Sequence, residues 1–450
     1  MTKTPVFDFV KEYARLGALR MHMPGHKGTG PLGVEALDIT EINGADVLYS
    51  ADGIIKQSEC IASELFGSAQ TLYSTEGSSL SIRAMVYLVS IWANSKGQRP
   101  LIAAGRNAHR AFLSAVALTD ADVCFMYPKS MTSVVSCELT ASDVEEFILG
   151  CECTPTAVYI TSPDYLGNTA DIGGIAEVCH RHGVLLLVDN AHGAYLRFLP
   201  KDAHPLSQGA DLVCDSAHKT LPVLTGGAYL HIGNGAPSML SERAEDAMSL
   251  FASTSPSYLI LSSLDLANKY ITDGYGKRLA DFVVDVDATK RRLTVHGYAL
   301  VGNEPLKLSV DAGKYGYLGT ELAEKLRESG IECEFADADF TVMMLSCELG
   351  KESLLRLEDA LMSIERRTEN RAEALIFSHP TRKMTVREAM FAPSELVDVD
   401  FAVGRIFASA AISCPPAISP ITAGEVIDEA SVRVLKHCGT DRVRVVKLQK

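Results

Sequence analysis

Two short stretches decide the fold: Val184-Leu185-Leu186-Leu187-Val188-Asp189-Asn190-Ala191-His192-Gly193 and Asp211-Leu212-Val213-Cys214-Asp215-Ser216-Ala217-His218-Lys219-Thr220. Each contains a run of aliphatic residues, the composition of a strand that is buried on both faces of a parallel sheet. A carboxylate, Asp189, closes the first run, and an amine, Lys219, follows the second. Because open α/β sheets bind ligands beyond the carboxyl ends of their strands, the pattern predicts both groups at one edge of the sheet.

Strand and helix patterns alternate through the middle of the chain. Further strand patterns occur at Pro100–Ala104 and Ala157–Thr161, and helical patterns occur at Ser79–Asn94 and Ile175–His182. This alternation predicts an α/β fold with a mostly parallel central sheet.

The same patterns predict four segments: an N-terminal segment 1–50, a large domain 51–278, a small α/β domain 279–375 and a C-terminal segment 376–450. Charged helical patterns at Gly319–Ser329 and Glu352–Arg367 indicate the small domain. The stretch 377–384, with His379-Pro380 and basic residues, predicts the last boundary.

Composition narrows the class of protein. The 450 residues carry a net charge of −14, which argues against a nucleic-acid partner because a phosphate-binding surface needs clustered Lys and Arg. The apolar runs are shorter than the roughly 20 residues of a membrane-spanning helix, and the N-terminus lacks the apolar core of a secretory signal. The eleven cysteines form no Cys-x-x-Cys pair, so we expect reduced thiols and no metal site. A cytoplasmic protein with a small-molecule substrate fits these limits.

The combination of Lys219 with Asp189 points to pyridoxal 5'-phosphate. That cofactor needs a lysine to form a Schiff base and a carboxylate to keep its ring nitrogen protonated. Small Ala191 would leave room for a flat ring. Taken alone, a lysine is usually a solvated surface residue and Asp189 could be only a strand-end cap, so it is the combination that favours the cofactor.

Phosphate binding is indicated where Glu76-Gly77-Ser78-Ser79 opens the predicted helix Ser79–Asn94, because N–H groups at a helix N-terminus bind anions. The same residues are equally typical of an ordinary helix cap. Ser216 and His218, next to the lysine, are further candidates for phosphate contacts. His109 follows a strand and is a candidate for stacking on the ring, although a lone histidine is more often an ordinary surface residue.

Taken together, the motifs resemble those of the bacterial ornithine/lysine/arginine decarboxylases, a family with the fold of the aspartate aminotransferases (type I). The motifs occur in the family's order and spacing: Met21-His22-Met23-Pro24-Gly25-His26-Lys27-Gly28, Gly77-Ser78-Ser79, His109, Ser162-Pro163-Asp164-Tyr165-Leu166-Gly167, Asp189-Asn190-Ala191-His192-Gly193-Ala194, Ser216-Ala217-His218-Lys219-Thr220-Leu221-Pro222 and Thr254-Ser255-Pro256-Ser257-Tyr258. The resemblance covers nearly the whole chain. It is greatest to the short form without an N-terminal wing domain, such as the biosynthetic arginine decarboxylases of Gram-positive bacteria.

The resemblance implies a role for each matched residue. Lys219 carries the Schiff base, Asp189 binds the ring nitrogen, and His109 stacks on the ring. The implied cofactor-binding set is Gly77, Ser78, Ser79, His109, Asp189, Ala191, His192, Ser216, His218, Lys219, Thr254 and Ser255. Thr254 or Ser255 would reach in from a second subunit, which implies a homodimer with shared active sites. On proximity alone, Lys219 and His218 are the candidates for returning a proton to the α-carbon.

Departures from the family pattern concern the substrate more than the cofactor. Glu76 stands where the family usually has Asn, Asn190 where it has an acidic or aromatic residue, and Tyr49 where it has histidine; the Pro-rich run is altered across Pro415–Glu425. An anion at position 76 would repel the cofactor phosphate unless it points away. Glu425 is a candidate for binding the cationic end of a substrate.

The resemblance implies decarboxylation of a basic amino acid to a polyamine precursor and carbon dioxide, with arginine as the first substrate and lysine or ornithine next. Two alternatives stay open. One is another reaction at the α-carbon, as in an aminotransferase or a lyase, because the cofactor residues do not determine which bond breaks. The other is a non-catalytic regulatory protein that binds the cofactor, although intact Lys219 and Asp189 favour an enzyme.

Overall fold

The structure, a computed structural model, describes residues 2–129, 133–370, 375, 377–410 and 419–448, so Pro415–Ile418 of the altered run lie outside the described residues. The helices are α1 (Pro5–Arg15), α2 (Ile54–Phe66), α3 (Ser78–Ser95), α4 (Arg110–Thr119), α5 (Ala141–Gly150), α6 (Ile172–Arg181), α7 (Ala217–Thr220), α8 (Ser238–Glu242), α9 (Ala244–Ser249), α10 (Tyr258–Tyr270), α11 (Gly276–His296), α12 (Gly319–Glu328), α13 (Gly350–Met362), α14 (Val386–Phe391) and α15 (Glu429–His437). The strands are β1 (Gln70–Ser74), β2 (Leu101–Gly105), β3 (Asp122–Met126), β4 (Ala157–Thr161), β5 (Leu185–Asp189), β6 (Leu212–Asp215), β7 (Ala228–Ile232), β8 (Ala299–Val301), β9 (Lys307–Asp311), β10 (Phe335–Ala336), β11 (Phe340–Met344), β12 (Ser394–Asp398) and β13 (Arg442–Val446).

The predicted alternation of strands and helices is confirmed. Strand β4 has its predicted bounds, α3 extends its predicted range by one residue at each end, and β5 begins one residue later than predicted. The prediction for α13 is wrong at its C-terminal end, because the helix ends at Met362 and not at Arg367.

The chain packs as two units. Unit 1 comprises Met1–Pro100, Thr154–Ile160 and Ile172–Lys277; unit 2 comprises Leu101–Cys153, Thr161–Asp171 and Arg278–Lys450. The predicted four-segment division of the chain stays a prediction. Within the described ranges, every helix is too short or too polar to cross a lipid bilayer.

The strands of unit 1 lie in the order β1-β7-β6-β5-β4. β5 and β6 are parallel, with Asp189 opposite Cys214, whereas β7 is antiparallel to both β6 and β1. β5, β6 and β7 are buried along their whole length, as their aliphatic composition predicts. Because β5 and β6 are parallel neighbours, the residues that follow them, Asn190 and Ser216, leave the sheet at the same edge.

Unit 2 contains three groups of strands. β2 and β3 form a parallel pair, β10-β11-β9-β8 form an antiparallel sheet, and β12 pairs with β13 in antiparallel orientation. A cluster of buried apolar side chains supports the last pair: Val399, Ala402, Phe407, Ile421, Ile427, Leu435, Val443 and Val445.

Glu59 on α2 is an acidic residue inside unit 1. It is 3% exposed, and its Oε1 accepts a hydrogen bond from the Tyr73 backbone N–H over 2.9 Å. Burial raises the pKa of Glu59 to about 8, although that N–H and Lys56 oppose the rise. Because this pKa lies above the ordinary value of 4.5, the side chain supports the fold best below pH 4.5, and that support is lost as the pH rises to about 8.

We therefore expect Glu59→Gln to be more stable than the wild type at pH 8, by about 2–4 kcal/mol in the free energy of unfolding. The amide still accepts the Tyr73 N–H and never has to ionise. At pH 5 the two proteins should differ little. Urea unfolding at both pH values measures the effect, with Glu64→Gln, an exposed position on the same helix, as the matched control. A gain of equal size at both pH values would contradict the titration of Glu59.

Candidate active site

Asp189 ends β5 as a buried carboxylate with 3% of its surface exposed. The Tyr159 hydroxyl donates a hydrogen bond to Oδ2 over 2.9 Å, and the Ala191 backbone N–H donates to Oδ1 over 3.2 Å. The Cys214 thiol lies 3.5 Å from Oδ1. These donors hold the Asp189 side chain in place at the strand end.

Tyr159 is a site residue that the sequence patterns did not single out. It lies in β4 and is fully buried, and burial raises its pKa well above the ordinary value, with the Asp189 carboxylate adding to the rise. The phenol therefore keeps its proton and donates it to Asp189. A signal was present in the sequence, because a hydroxyl in a buried, otherwise mostly apolar strand needs a polar partner.

Lys219 lies on the single helical turn α7, directly after β6, and is exposed. Its Nζ lies 3.0 Å from Nε2 of the buried His192, to which the amine donates. The Lys219 backbone N–H donates to the Ser216 carbonyl over 3.0 Å. The structure thus brings together two predicted site residues from different loops, since His192 follows β5 and Lys219 follows β6.

The predicted phosphate turn lies at the start of α3. Gly77 precedes the helix with a φ of +71° and has no side chain to cap the first-turn N–H groups. Its own N–H donates to the Gly226 carbonyl over 2.7 Å. The Ser216 hydroxyl donates to the Ser78 hydroxyl over 2.8 Å. An uncapped helix N-terminus beside two hydroxyls has the donors that a phosphate group requires.

His218 is tied to one backbone carbonyl. Its Nδ1 lies 2.9 Å from the Gly227 oxygen, and its backbone N–H donates to the same oxygen over 3.1 Å. A carbonyl only accepts, so Nδ1 carries the ring proton. Burial lowers the pKa of His218, and the nearby Lys219 lowers it further, which leaves Nε2 unprotonated. A neutral His218 therefore accepts a proton at Nε2, whereas its predicted phosphate contact, which calls for a donor, stays a prediction.

The unusual Glu76 points its carboxylate at a neighbouring loop. Glu76 is exposed, and its Oε1 accepts a hydrogen bond from the Ser253 backbone N–H over 2.7 Å. The next two residues of that loop, Thr254 and Ser255, are exposed as well. This contact supplies a local partner for the anion, and the reach of Thr254 or Ser255 into a second subunit stays a prediction.

His109 belongs to unit 2, where it caps α4. Its Nδ1 accepts a hydrogen bond from the Ala111 backbone N–H over 3.2 Å, so Nδ1 carries no proton. The cap fixes the orientation of the imidazole at the helix start. Stacking of this ring on a cofactor stays a prediction.

Glu425, the candidate for binding a substrate cation, is 2% exposed and holds a buried arginine of unit 2. Arg106 donates from Nη1 to Oε1 over 2.7 Å and from Nη2 to Oε2 over 2.8 Å. The Thr422 backbone N–H also donates to Oε2 over 2.7 Å. Both oxygens are engaged, so a substrate cation would have to displace the Arg106 guanidinium; binding of a substrate cation by Glu425 stays a prediction.

We expect Glu425→Gln to lower the free energy of unfolding by about 3–5 kcal/mol, because it leaves the buried Arg106 charge without its counter-ion. The control is Glu395→Gln, which breaks the half-exposed ion pair with Arg405 and should change stability by about 1 kcal/mol or less. Chemical denaturation measures both. A variant with wild-type stability and a lost preference for cationic substrates would contradict this expectation and support the predicted substrate role of Glu425.

Comparison with known proteins identifies relatives of this chain. The family profile of the Orn/Lys/Arg decarboxylase major domain matches residues 4–301. An arginine decarboxylase of Bacillus subtilis is 30% identical over 464 aligned residues, which cover 96% of this chain and 92% of the relative. An arginine decarboxylase of Halalkalibacterium halodurans is 29% identical, with 97% of this chain and 93% of the relative covered.

Solved structures show the same fold. The lysine decarboxylase LdcF of Francisella novicida aligns with a TM-score of 0.80 at 16% identity, covering 99% of this chain and 81% of that one. Lysine decarboxylase A of Pseudomonas aeruginosa aligns with a TM-score of 0.79 at 17% identity, covering 98% and 80%. These likenesses confirm the predicted fold class. Together with the profile match and the nearly full-length relatives, they show that the chain belongs to the Orn/Lys/Arg decarboxylase family.

Proposed function

We propose that the protein decarboxylates a basic amino acid with pyridoxal 5'-phosphate as cofactor, taking arginine first and lysine or ornithine next. The observation that carries the proposal is that Asp189 ends β5 and Lys219 follows the parallel neighbour β6, in a chain related over nearly its full length to arginine decarboxylases. A buried carboxylate and an accessible lysine amine are the two groups that this cofactor requires.

The residues of unit 1 fit the cofactor. The uncapped start of α3, with Gly77, Ser78 and Ser79, offers backbone N–H groups to the phosphate, and a Cβ at position 77 would occupy space 4.0 Å from the Ser79 nitrogen. Asp189 would hold the proton of the ring nitrogen, and its own donors keep it in place. When bound, pyridoxal phosphate supplies the electron sink for the bond that breaks at the α-carbon.

Lys219 and the neighbouring His218 have different roles in proton transfer. Lys219 donates at Nζ, and its contact with His192 Nε2 orients the amine. His218 has an unprotonated Nε2 and a lowered pKa, which suits it to accept a proton and not to deliver one. Lys219 is therefore our choice for returning a proton to the α-carbon.

We also propose that the protein is a homodimer and is located in the cytoplasm. Thr254 and Ser255 are exposed beside the Glu76 contact, which supports a homodimer in which this loop serves a second active site. A cytoplasmic location agrees with the sequence patterns, and the product would be a polyamine precursor.

The test is to incubate the purified protein and pyridoxal phosphate with arginine, lysine and ornithine separately, and to follow carbon dioxide release and the amine product by mass spectrometry. We expect agmatine from arginine, with cadaverine or putrescine at lower rates. Release from none of the three, in a protein that still binds the cofactor through Lys219, would overturn decarboxylation in favour of another amino-acid reaction or a regulatory role.

A further inference from the structure

A buried carboxylate at the end of β6, Asp215, lies outside both the predicted cofactor set and the family motifs. Asp215 is 0% exposed. Its Oδ2 accepts from His204 Nε2 over 2.9 Å and from His231 Nε2 over 3.2 Å, and both imidazoles are fully buried. Its Oδ1 accepts from the Asn190 side-chain amide over 2.6 Å. Three N–H donors thus converge on one carboxylate.

The hydrogen-bond partners of each imidazole define where its proton lies: a carboxylate oxygen only accepts, so each Nε2 that faces Asp215 carries a proton. His204 Nδ1 accepts from the Leu206 backbone N–H, so the His204 proton is on Nε2. His231 Nδ1 pairs with the Thr71 hydroxyl over 2.8 Å, and burial lowers the pKa of His231. A metal ion would need the unprotonated Nε2 of both rings, whereas here both Nε2 atoms donate to Asp215. Asp215 is therefore held by hydrogen bonds from His204, His231 and Asn190, and we call these four residues the anchor.

The Asp215 carboxylate of the anchor stays charged although it is buried. Burial by itself would raise the pKa of Asp215, but His204 and His231 hold it below its ordinary value. A buried carboxylate bound by three donors is rigid, because losing any one donor leaves a buried charge less satisfied.

Both predicted cofactor residues are connected to this anchor through short stretches of chain. Asn190 directly follows Asp189, and its backbone N–H donates to the Cys214 carbonyl over 3.0 Å. On the other strand, Asp215 directly precedes the turn that carries Lys219. The Asn190–Asp215 bond therefore joins the two chain segments just where each leaves the sheet.

We propose that Asp215, acting through Asn190, is a positioning residue that sets the spacing between Asp189 and Lys219. This inference rests on the proposed function, because spacing matters only if both groups act on one cofactor. Asn190 contributes through its side-chain N–H: its own Oδ1 is buried and finds no hydrogen-bond partner among the described residues.

The same strand supplies a matched control. Asp211 lies just before β6, is 3% exposed, and accepts from the Leu186 backbone N–H over 2.7 Å and from His180 Nε2 over 3.0 Å. It joins β5 and β6 as Asp215 does, with a histidine partner as well, but at the opposite end from Lys219. If Asp215 had a purely structural role, Asp211 would share it. A positioning role, in contrast, belongs to Asp215 alone.

The experiment compares Asp215→Asn, Asn190→Ala and Asp211→Asn, each loaded with pyridoxal phosphate. We measure the pH midpoint of the visible absorbance of the Lys219 imine, together with kcat and KM for arginine. For Asp215→Asn and Asn190→Ala we expect a shifted midpoint and a kcat lowered about 10-fold to 100-fold with little change in KM. Asp211→Asn should keep the wild-type midpoint and kcat even where its unfolding temperature falls.

Asn190→Ala keeps both histidine donors on Asp215, so it tests the link even if Asp215→Asn does not fold. Wild-type midpoints and kcat in Asn190→Ala would overturn the positioning role while the proposed function stands. Equal shifts in Asp211→Asn would also overturn it, because they would mark a general effect of loosening the sheet. If the wild type itself formed no imine, both the proposed function and this inference would fall.

Discussion

Replacement of Lys219 by alanine is expected to abolish carbon dioxide release from every amino acid that the wild type accepts, a fall in kcat/KM of about 10⁴-fold or more. The reason is that the variant loses the amine that the structure places beside His192, on the turn after β6, the strand that pairs with the one ending in Asp189. Removing it takes away both covalent attachment of the cofactor and the group proposed to return the proton.

The measurement has two parts. Carbon dioxide release reports activity. Borohydride reduction followed by peptide mass mapping reports attachment, which should mark the peptide containing Lys219 in the wild type and mark no peptide in Lys219→Ala. Lys201→Ala removes another exposed lysine of unit 1 and should match the wild type in both assays. Attachment at a different lysine, or retained activity in Lys219→Ala, would refute the assignment.

Strands β5 and β6 could be predicted because a run of aliphatic residues is a local feature of the sequence. The aliphatic runs that became β5 and β6 predicted buried parallel strands, and the parallel order then places the loops after both strands at one edge of the sheet. The positions of Asp189 at the end of β5 and of Lys219 after β6 could therefore be predicted from the sequence, whereas their roles stay predictions.

Contacts between distant residues were not predictable in this way. The bond from Tyr159 to Asp189 joins two strands across 30 positions, and the one from Arg106 to Glu425 joins residues 319 positions apart. A glutamate near the chain end gave no sign of its partner. The sequence therefore suggested a substrate ligand for a residue whose carboxylate is engaged by a buried arginine.

The early end of α13 has a similar cause. Three tyrosine hydroxyls donate to carbonyls where the predicted helix would have continued: Tyr298 to Leu361, Tyr315 to Ile364 and Tyr317 to Glu365. In a helix continuing to Arg367, the Leu361 carbonyl would accept from the Glu365 N–H. Here it accepts from the Tyr298 hydroxyl, and the Arg367 N–H donates to the Tyr315 carbonyl. Local helix propensity carries no information about donors from another part of the chain, so the charged pattern up to Arg367 overestimated the helix.

Asp189→Asn is expected to lower kcat about 10²-fold to 10³-fold while the cofactor still attaches to Lys219. The amide matches the carboxylate in shape and its oxygen still accepts from the Tyr159 hydroxyl, so the strand end should keep its structure. The negative charge that would keep the ring nitrogen protonated is lost, and with it the ability of the ring to accept electrons. The variant should therefore separate cofactor attachment from catalysis.

Tyr159→Phe is the matched variant, because it removes one hydrogen bond to Asp189 and leaves the charge in place. We expect its kcat to fall much less than that of Asp189→Asn, since the carboxylate keeps the Ala191 N–H as a donor. Stopped-flow absorbance for attachment and carbon dioxide release for turnover distinguish the two steps. If Asp189→Asn turned over arginine at the wild-type rate, the ring nitrogen would need no anion, and the central role of Asp189 would have to be given up even though Lys219 still carried the cofactor.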